Sequence, residues 1–446
     1  MAKNNKSPGV FQDPFKYDKL GNPKIVTIAF MSVMTVSVLI RLSIGMQNSS
    51  LPFFIKNVLG GNEQTIGNLQ SIFMLSALVG RLFIGRQVDK RGRKPIMLLG
   101  ILVYGIMIFM FSMVSSIPML FLFRALQGVG FAAQSIALST VITDMVPEDR
   151  LSEGIGYYGL SQSITQAIGP AIAVMLMDTY GYTHIFNIFS IFALLAFLVA
   201  TTLSIDKFRL AKLRMNKENR DEKQVSDKEN SIEKTVSPVT AASEEYHGIM
   251  KIVSQAIEPK SVVPALCAAF NGMAQTSVMA FLLLYGRDTL LIHNFALFYT
   301  VQAAAIAASR LFGGKLTTLF GHRKVILPAL GIKICCMISM TFIAKTLSAF
   351  FIIAVAYGLC SGLIQPVINS MTVVMAPFER RGVANSTYFN FLDIGNAIGA
   401  SLWGWVAVRI GLGNIFAAGS IFLVVVGVIF FHISGRVNIP IKARKK

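Results

Sequence analysis

The sequence predicts an all-α integral membrane protein with twelve transmembrane helices, arranged as two six-helix bundles related by pseudo-symmetry. Three observations carry this. First, 54% of the residues are hydrophobic and only 14% charged, against about 25% charged in soluble domains, and the mean hydropathy is +0.61. Second, apolar stretches of about 20 residues, the length that crosses a hydrocarbon core of roughly 30 Å, recur from residue 25 to residue 434. Third, the stretch Gly80 to Pro95, where an apolar run ends in a burst of positive charge, returns in altered form from Ser309. Arg81 then falls on Arg310 and Gly92 on Gly321, 229 positions later.

Residues 1–24 are polar and form a cytoplasmic tail. Helices 1 to 6 follow at about 25–55, 64–86, 95–115, 119–142, 152–177 and 184–204, so the first bundle covers 25–204. The first of these runs past 20 residues and lacks a small-residue cleavage site, which marks a retained helix rather than a signal peptide. Residues 205–259 break the pattern with a segment dense in Lys, Arg, Glu, Asp and Asn, read as a cytoplasmic linker. Helices 7 to 12 follow at about 260–285, 294–317, 324–344, 348–375, 382–409 and 412–434. The second bundle covers 260–434, before a basic cytoplasmic tail over 435–446.

The net charge of +19 raises the possibility of nucleic acid, but the basic residues collect in alternate loops, and that alternation is the signature of membrane topology. Arg86, Lys90, Arg91, Arg93 and Lys94 lie between helices 2 and 3, and Lys315, Arg323 and Lys324 between helices 8 and 9. The expected placement is therefore a multi-pass protein of the cell membrane with both termini cytoplasmic. The bilayer is then the expected partner, with no nucleic acid and no second chain. Cys267, Cys335, Cys336 and Cys360 all fall inside apolar segments, and their spacing fits neither a disulfide framework nor a metal site. No cofactor is expected, and no phosphate-binding loop or nucleophile elbow points to an enzyme.

The duplication survives a second test. A shift of 230 places Pro147 on Pro377, Arg150 on Arg380 and Gly169 on Gly399 without a gap. Two halves in the same orientation imply a pseudo-twofold axis along the membrane normal, with a site between them.

The loop between helices 2 and 3 has the form Gly-x-x-x-Asp-(Arg/Lys)-x-Gly-Arg-(Arg/Lys), filled by Gly85, Asp89, Lys90, Gly92, Arg93 and Lys94. With twelve spans and the internal repeat, the chain resembles the major facilitator superfamily of secondary transporters over nearly its whole length. The pattern is nearest to the twelve-helix, proton-coupled antiporter branch for drugs and metabolites. The resemblance implies that this loop is a cytoplasmic gate, with Asp89 against the N-terminus of helix 11 and Arg93 paired with Asp144 at the end of helix 4. The second copy retains Gly314, Gly321 and Arg323, but Thr318 replaces the acid, so it is expected to be the weaker latch.

Two further stretches carry the resemblance. Arg124-Ala125-Leu126-Gln127-Gly128 on helix 4 looks like the family's second motif, and its arginine is absent from the second half, where Ala354 stands. Gly169-Pro170 on helix 5 looks like a shortened form of the motif that marks proton-coupled exporters, although Ala173 and Val174 follow in place of its later glycines.

Arg41, about 16 residues into helix 1, and Asp393, about ten into helix 11, are charges placed deep in the membrane. A lone charge there costs about 2.5–3.5 kcal/mol on insertion scales. Desolvation disfavours a charged carboxylate and a neighbouring cation favours it, which suits a group that gains and loses a proton during transport. Asp393 is the expected proton carrier. Arg41 or Arg124 is expected as its charge partner or as the anchor for an acidic substrate group, with a purely structural Asp–Arg pair as the alternative.

Polar residues in apolar helices mark a shared cavity or bond neighbouring helices: Gln47, Asn48, Gln134, Gln166, Asn271, Gln275, Gln365, Asn369 and Asn390. The expected activity is alternating-access transport, with proton-coupled efflux of drugs or metabolites ahead of proton-coupled uptake of a sugar, organic anion or other metabolite. A non-transporting membrane receptor is the remaining alternative.

Overall fold

The computed structural model describes residues 27–146, 151–203, 257–292, 294–377 and 380–434. The predicted tails over 1–24 and 435–446 lie outside the described residues, as does the predicted linker up to residue 256. Among the described residues the chain forms α1 (Ile28–Asn57), α2 (Glu63–Arg91), α3 (Arg93–Phe111) and α4 (Ile117–Met145). A continuous run, Leu151–Thr202, then breaks at Gly181 (φ 77°, ψ 173°) into α5 (151–180) and α6 (182–202). The second half holds α7 (Val262–Leu284), α8 (Leu297–Phe320), α9 (His322–Phe342), α10 (Leu347–Val374), α11 (Arg381–Ile410) and α12 (Asn414–Ser434).

Local chemistry sets the ends of these helices. Thr27 Oγ1 accepts from Phe30 N at 3.2 Å at the start of α1, and Asn62 Oδ1 accepts from Thr65 N at 3.0 Å at the start of α2, each satisfying a donor that the helix leaves free. Four turns need a backbone that side-chain-bearing residues rarely adopt: Gly92 (φ 97°), Gly181 (φ 77°), Gly321 (φ 80°) and Gly411 (φ 85°). Glycine meets that need without a Cβ penalty. They form two repeat-related pairs, Gly92 with Gly321 and Gly181 with Gly411, so the duplication reaches the backbone of the turns.

Among the described residues, nine segments have the length and hydropathy of a membrane span, with 157–202 counting as one. The helices that fall short are α2 and α8, and both pack against the opposite half. Within the first half, α1 packs on the run 151–202 and α4 on α2 and α3. In the second half α7 packs on α11 and α12, α8 on α10, and α9 on α12. The halves meet where α2 lies along α11, where the run 151–202 meets α8, and where α1 meets α7. Large apolar side chains such as Phe342, Ile352 and Ile421 face outward, as a surface in contact with lipid requires, while cations are buried within the bundles.

Candidate transport site

The first buried cation is Arg124, about 10 Å along α4 from its start and 0% exposed. Its Nη1 donates to Gln127 Oε1 at 2.7 Å, and its Nη2 to Asn48 Oδ1 and Gln70 Oε1, both at 2.9 Å. The guanidinium stands over Phe73, 4.2 Å from the ring centroid. Behind it, Gln127 Nε2 and the Tyr104 hydroxyl donate to Gln47 Oε1 at 2.8 and 2.9 Å. The charge is thus spread over neutral amides from α1, α2 and α4, and the buried Nε has no partner.

A second cation, which the hydropathy pattern conceals, occupies the corresponding depth of the second half. Lys333 on α9 is 0% exposed, donates from Nζ to Asn271 Oδ1 at 3.0 Å and lies 5.0 Å from the centroid of Tyr357. The repeat relates Lys333 to Tyr104 and Tyr357 to Gln127, so the two nodes share a position and exchange their cation-bearing helix. The Tyr357 hydroxyl, Ser361 Oγ and Gln302 Nε2 are further buried polar atoms of the same half. Arg124 was legible because it sits in a motif. Lys333 is flanked by Ile332 and Ile334, and only the repeat alignment with the polar Tyr104 would have singled it out.

Asp393 on α11 pairs with Arg81 on α2, so the pair bridges the two halves. This corrects the expectation that Arg41 or Arg124 would be its partner. Arg124 is held in its amide cage, and Arg41 donates from Nε to Ser37 Oγ at 3.4 Å and stacks on Tyr158 of α5, 4.6 Å from the ring centroid. The Arg81 guanidinium also lies 5.9 Å from the centroid of Phe131. The repeat preserves the arginine as Arg310 on α8, but Ser163 stands at the position related to Asp393. The bridge is therefore asymmetric.

At the basic end, Arg93 and Lys94 open α3, where a cation is disfavoured by the helix dipole. Each is met by negative charge from elsewhere. Arg93 Nε donates to Asp144 Oδ2 at 3.0 Å, and Lys94 Nζ donates to the carbonyls of Thr201 and Leu203 at 2.6 and 2.7 Å, capping the end of α6. Gly85, Asp89, Lys90 and Gly314 lie within α2 and α8, and their surroundings are not described. Arg323, expected in a second latch, instead covers Phe431 of α12 at 3.8 Å from the ring centroid, within its own half.

The other predicted positions divide into three. Gln47, Asn48 and Asn271 belong to the two buried nodes rather than to an open cavity. Gln134 is buried between α3 and α4, where its backbone amide leaves no room for a Cβ on Gly100. Gln166 is exposed on α5, and Gln275, Gln365, Asn369 and Asn390 are half-buried, with the Gln365 carbonyl accepting from Tyr388 at 3.3 Å. Gly169 faces Gly45, where a Cβ would come within 3.3 Å of backbone. It serves the close approach of α1 and α5, and Pro170 continues the helix while the break falls at Gly181.

At the end opposite the basic loops, the halves are locked together. Ser401 Oγ donates to Asn68 Oδ1 at 2.6 Å, Ser71 Oγ donates to the Ala397 carbonyl, and a Cβ on Gly67 or Gly404 would strike the facing backbone of Ala400 or Glu63. A wide π turn, Tyr285–Thr289, carries Arg287 to Asp178 and Asp288 to within 3.4 Å of Lys56.

Two six-helix halves with buried cations and a charge bridge between them define a membrane transporter. The sequence matches the family model of the Major Facilitator Superfamily over residues 33–290 and again over 264–446, and the chain belongs to that family. It is 22% identical over 84% of its length to the staphylopine export protein of Staphylococcus aureus, covering 88% of that protein. It is 24% identical to the multidrug resistance protein MdtG of Escherichia coli over 82% of both chains. Among solved structures, the nucleoside transporter NupG superposes with a TM-score of 0.71 at 11% identity, covering 91% of this chain and 99% of that one. A peptide transporter POT does so with 0.71 at 13%, covering 95% and 97%.

Proposed function

We propose that the chain is a proton-coupled exporter of small, partly apolar molecules, in which the halves rock about a central site and the Arg81–Asp393 bridge carries the coupling. The observation behind this reading is the position of Asp393, an acid at mid-depth of a membrane helix that bonds across the boundary between the halves. Protonating Asp393 removes its charge and weakens the bridge, so proton uptake and separation of α2 from α11 are linked in one step. An unpaired charge left in such a place costs about 3–5 kcal/mol, enough to move a two-state equilibrium by more than a hundredfold. Arg124 and Lys333, on either side of the pseudo-twofold axis, hold the fixed positive field around that site. The names of the curated relatives, a staphylopine export protein and a multidrug resistance protein, support the outward direction. The likeness to nucleoside and peptide transporters supports the fold alone.

The test is a growth and accumulation screen over a panel of cationic dyes, antibiotics and metal-chelating metabolites, in cells that lack or overproduce the chain. Export predicts lower internal levels on overproduction, and higher levels would reverse the direction. For any compound so found, Asp393→Asn keeps shape and removes titration. Uphill transport driven at the normal rate by a pH gradient in that variant would remove Asp393 from the mechanism.

A further inference from the structure

The described surface carries a groove between α9 and α12, about 380 Å³ in volume and lined mainly by apolar side chains, among them Leu327, Ile334, Val424 and Phe431, with His432 beside them. Gly331 and Gly427 form its floor, and a Cβ on either would meet nothing within 4 Å. The groove starts at the basic end of the molecule, where Arg323 and Lys324 are exposed and the Arg323 guanidinium lies over Phe431, 3.8 Å from its centroid.

The first half shows what is unusual here. In its basic cluster, Arg93 is met by Asp144 and Lys94 by the α6 carbonyls. The repeat places Val374 where Asp144 stands and Arg323 where Lys94 stands. Among the described residues, Arg323 and Lys324 have no acidic partner. Their positive charge is thus left at the mouth of an apolar slot. From Lys324 to Ile334 the helix rises about 15 Å, half of a hydrocarbon core of roughly 30 Å, which is the depth of one lipid leaflet.

We propose that this groove is a binding site for an anionic phospholipid, with its phosphate held by Arg323 and Lys324 and one acyl chain lying along Gly331 and Gly427. The site depends on the chain lying in a bilayer and not on the direction or substrate of transport, so the two readings fail separately.

The probe is a vesicle of equal parts phosphatidylglycerol and phosphatidylcholine, from which the full chain is extracted in mild detergent and its retained lipids counted by native mass spectrometry. The wild-type chain is expected to retain phosphatidylglycerol selectively. The double variant Arg323→Gln/Lys324→Gln, both at exposed positions, should lower that retention about fivefold per cation removed. Gly427→Leu, whose Cβ would meet nothing within 4 Å, should lower retention while leaving the charges in place. Arg409→Gln removes another aromatic-stacked arginine, at the far end of α11, and should change nothing. Size-exclusion profiles and thermal midpoints equal to wild type show that each variant is folded. Equal retention of the two lipids overturns the proposal. So does a phosphatidylglycerol preference that survives either the charge variant or Gly427→Leu.

Discussion

At the scale of single residues, the protein handles three charges within its helices in different ways. Arg124 is dispersed over amides, Lys333 has one amide and a ring face, and Asp393 has a true counter-ion in the other half. A buried charge without a counter-ion costs stability. Lys333→Met should therefore keep or raise the thermal midpoint while lowering pH-driven transport about tenfold, the effect of roughly 1.4 kcal/mol. Lys333→Arg should recover part of the transport, because it restores the charge. Unchanged transport in Lys333→Met would show that the lysine only fills space. Arg81→Gln should resemble Asp393→Asn in losing pH coupling, and the double variant should be no worse than either, since residues that act as a unit are not additive. Transport assays on the three variants decide this.

At the scale of helices, the crossing of α2 with α11 is set by small residues. Gly67 lies against Ala400 and Gly404 against Glu63 and Gln64, with no space for a side chain between them. Gly67→Val should force these ends apart at a cost of about 1–3 kcal/mol, the usual cost of overpacking. That shifts the population of the closed end by about 5- to 150-fold. Spin-label distances between the far ends of α2 and α11 should lengthen in the variant, and an unchanged distribution would show that the contact yields locally. Glycine performs a different task at Gly92, Gly181, Gly321 and Gly411, where positive φ turns the chain sharply between helices.

For the whole molecule, one end is closed by polar contacts and ion pairs between the halves, and the Arg81–Asp393 bridge lies deeper along the same interface. Protonation of Asp393 weakens the bridge, so opening of the closed end should increase as the pH falls. In a background with the native cysteines replaced, Ser71→Cys places a thiol under the α2–α11 contact, at a position 7% exposed. Its alkylation rate, corrected for thiolate content, should rise on acidification. With Asp393→Asn added, the rate should be high and independent of pH, because the carboxamide mimics the protonated acid. A rate that follows pH equally in both would separate opening from Asp393.

The sequence by itself determined the bilayer-spanning class, the helix order and the duplication, because each rests on local properties: apolar length, turn glycines and charge at fixed spacing. It also marked Arg124 and Asp393, since a charge in an apolar run stands out without knowledge of its neighbours. Only the tertiary structure decided who pairs with whom. Arg81 and Asp393 are 312 positions apart, and no periodicity links a residue on α2 to one on α11. Arg41 was as good a candidate on depth alone, but its helix turns it toward Tyr158. Gln47 and Asn48 read as cavity residues, but Arg124 donates to Asn48, and Gln47 is taken up by Gln127 and Tyr104 behind it. Lys333 escaped notice because a single lysine barely lowers the hydropathy of α9, while its meaning lies in Asn271 and Tyr357, which reach it from α7 and α10. Local patterning fixes which segments cross the membrane, and the packing of distant helices fixes which charges meet inside it.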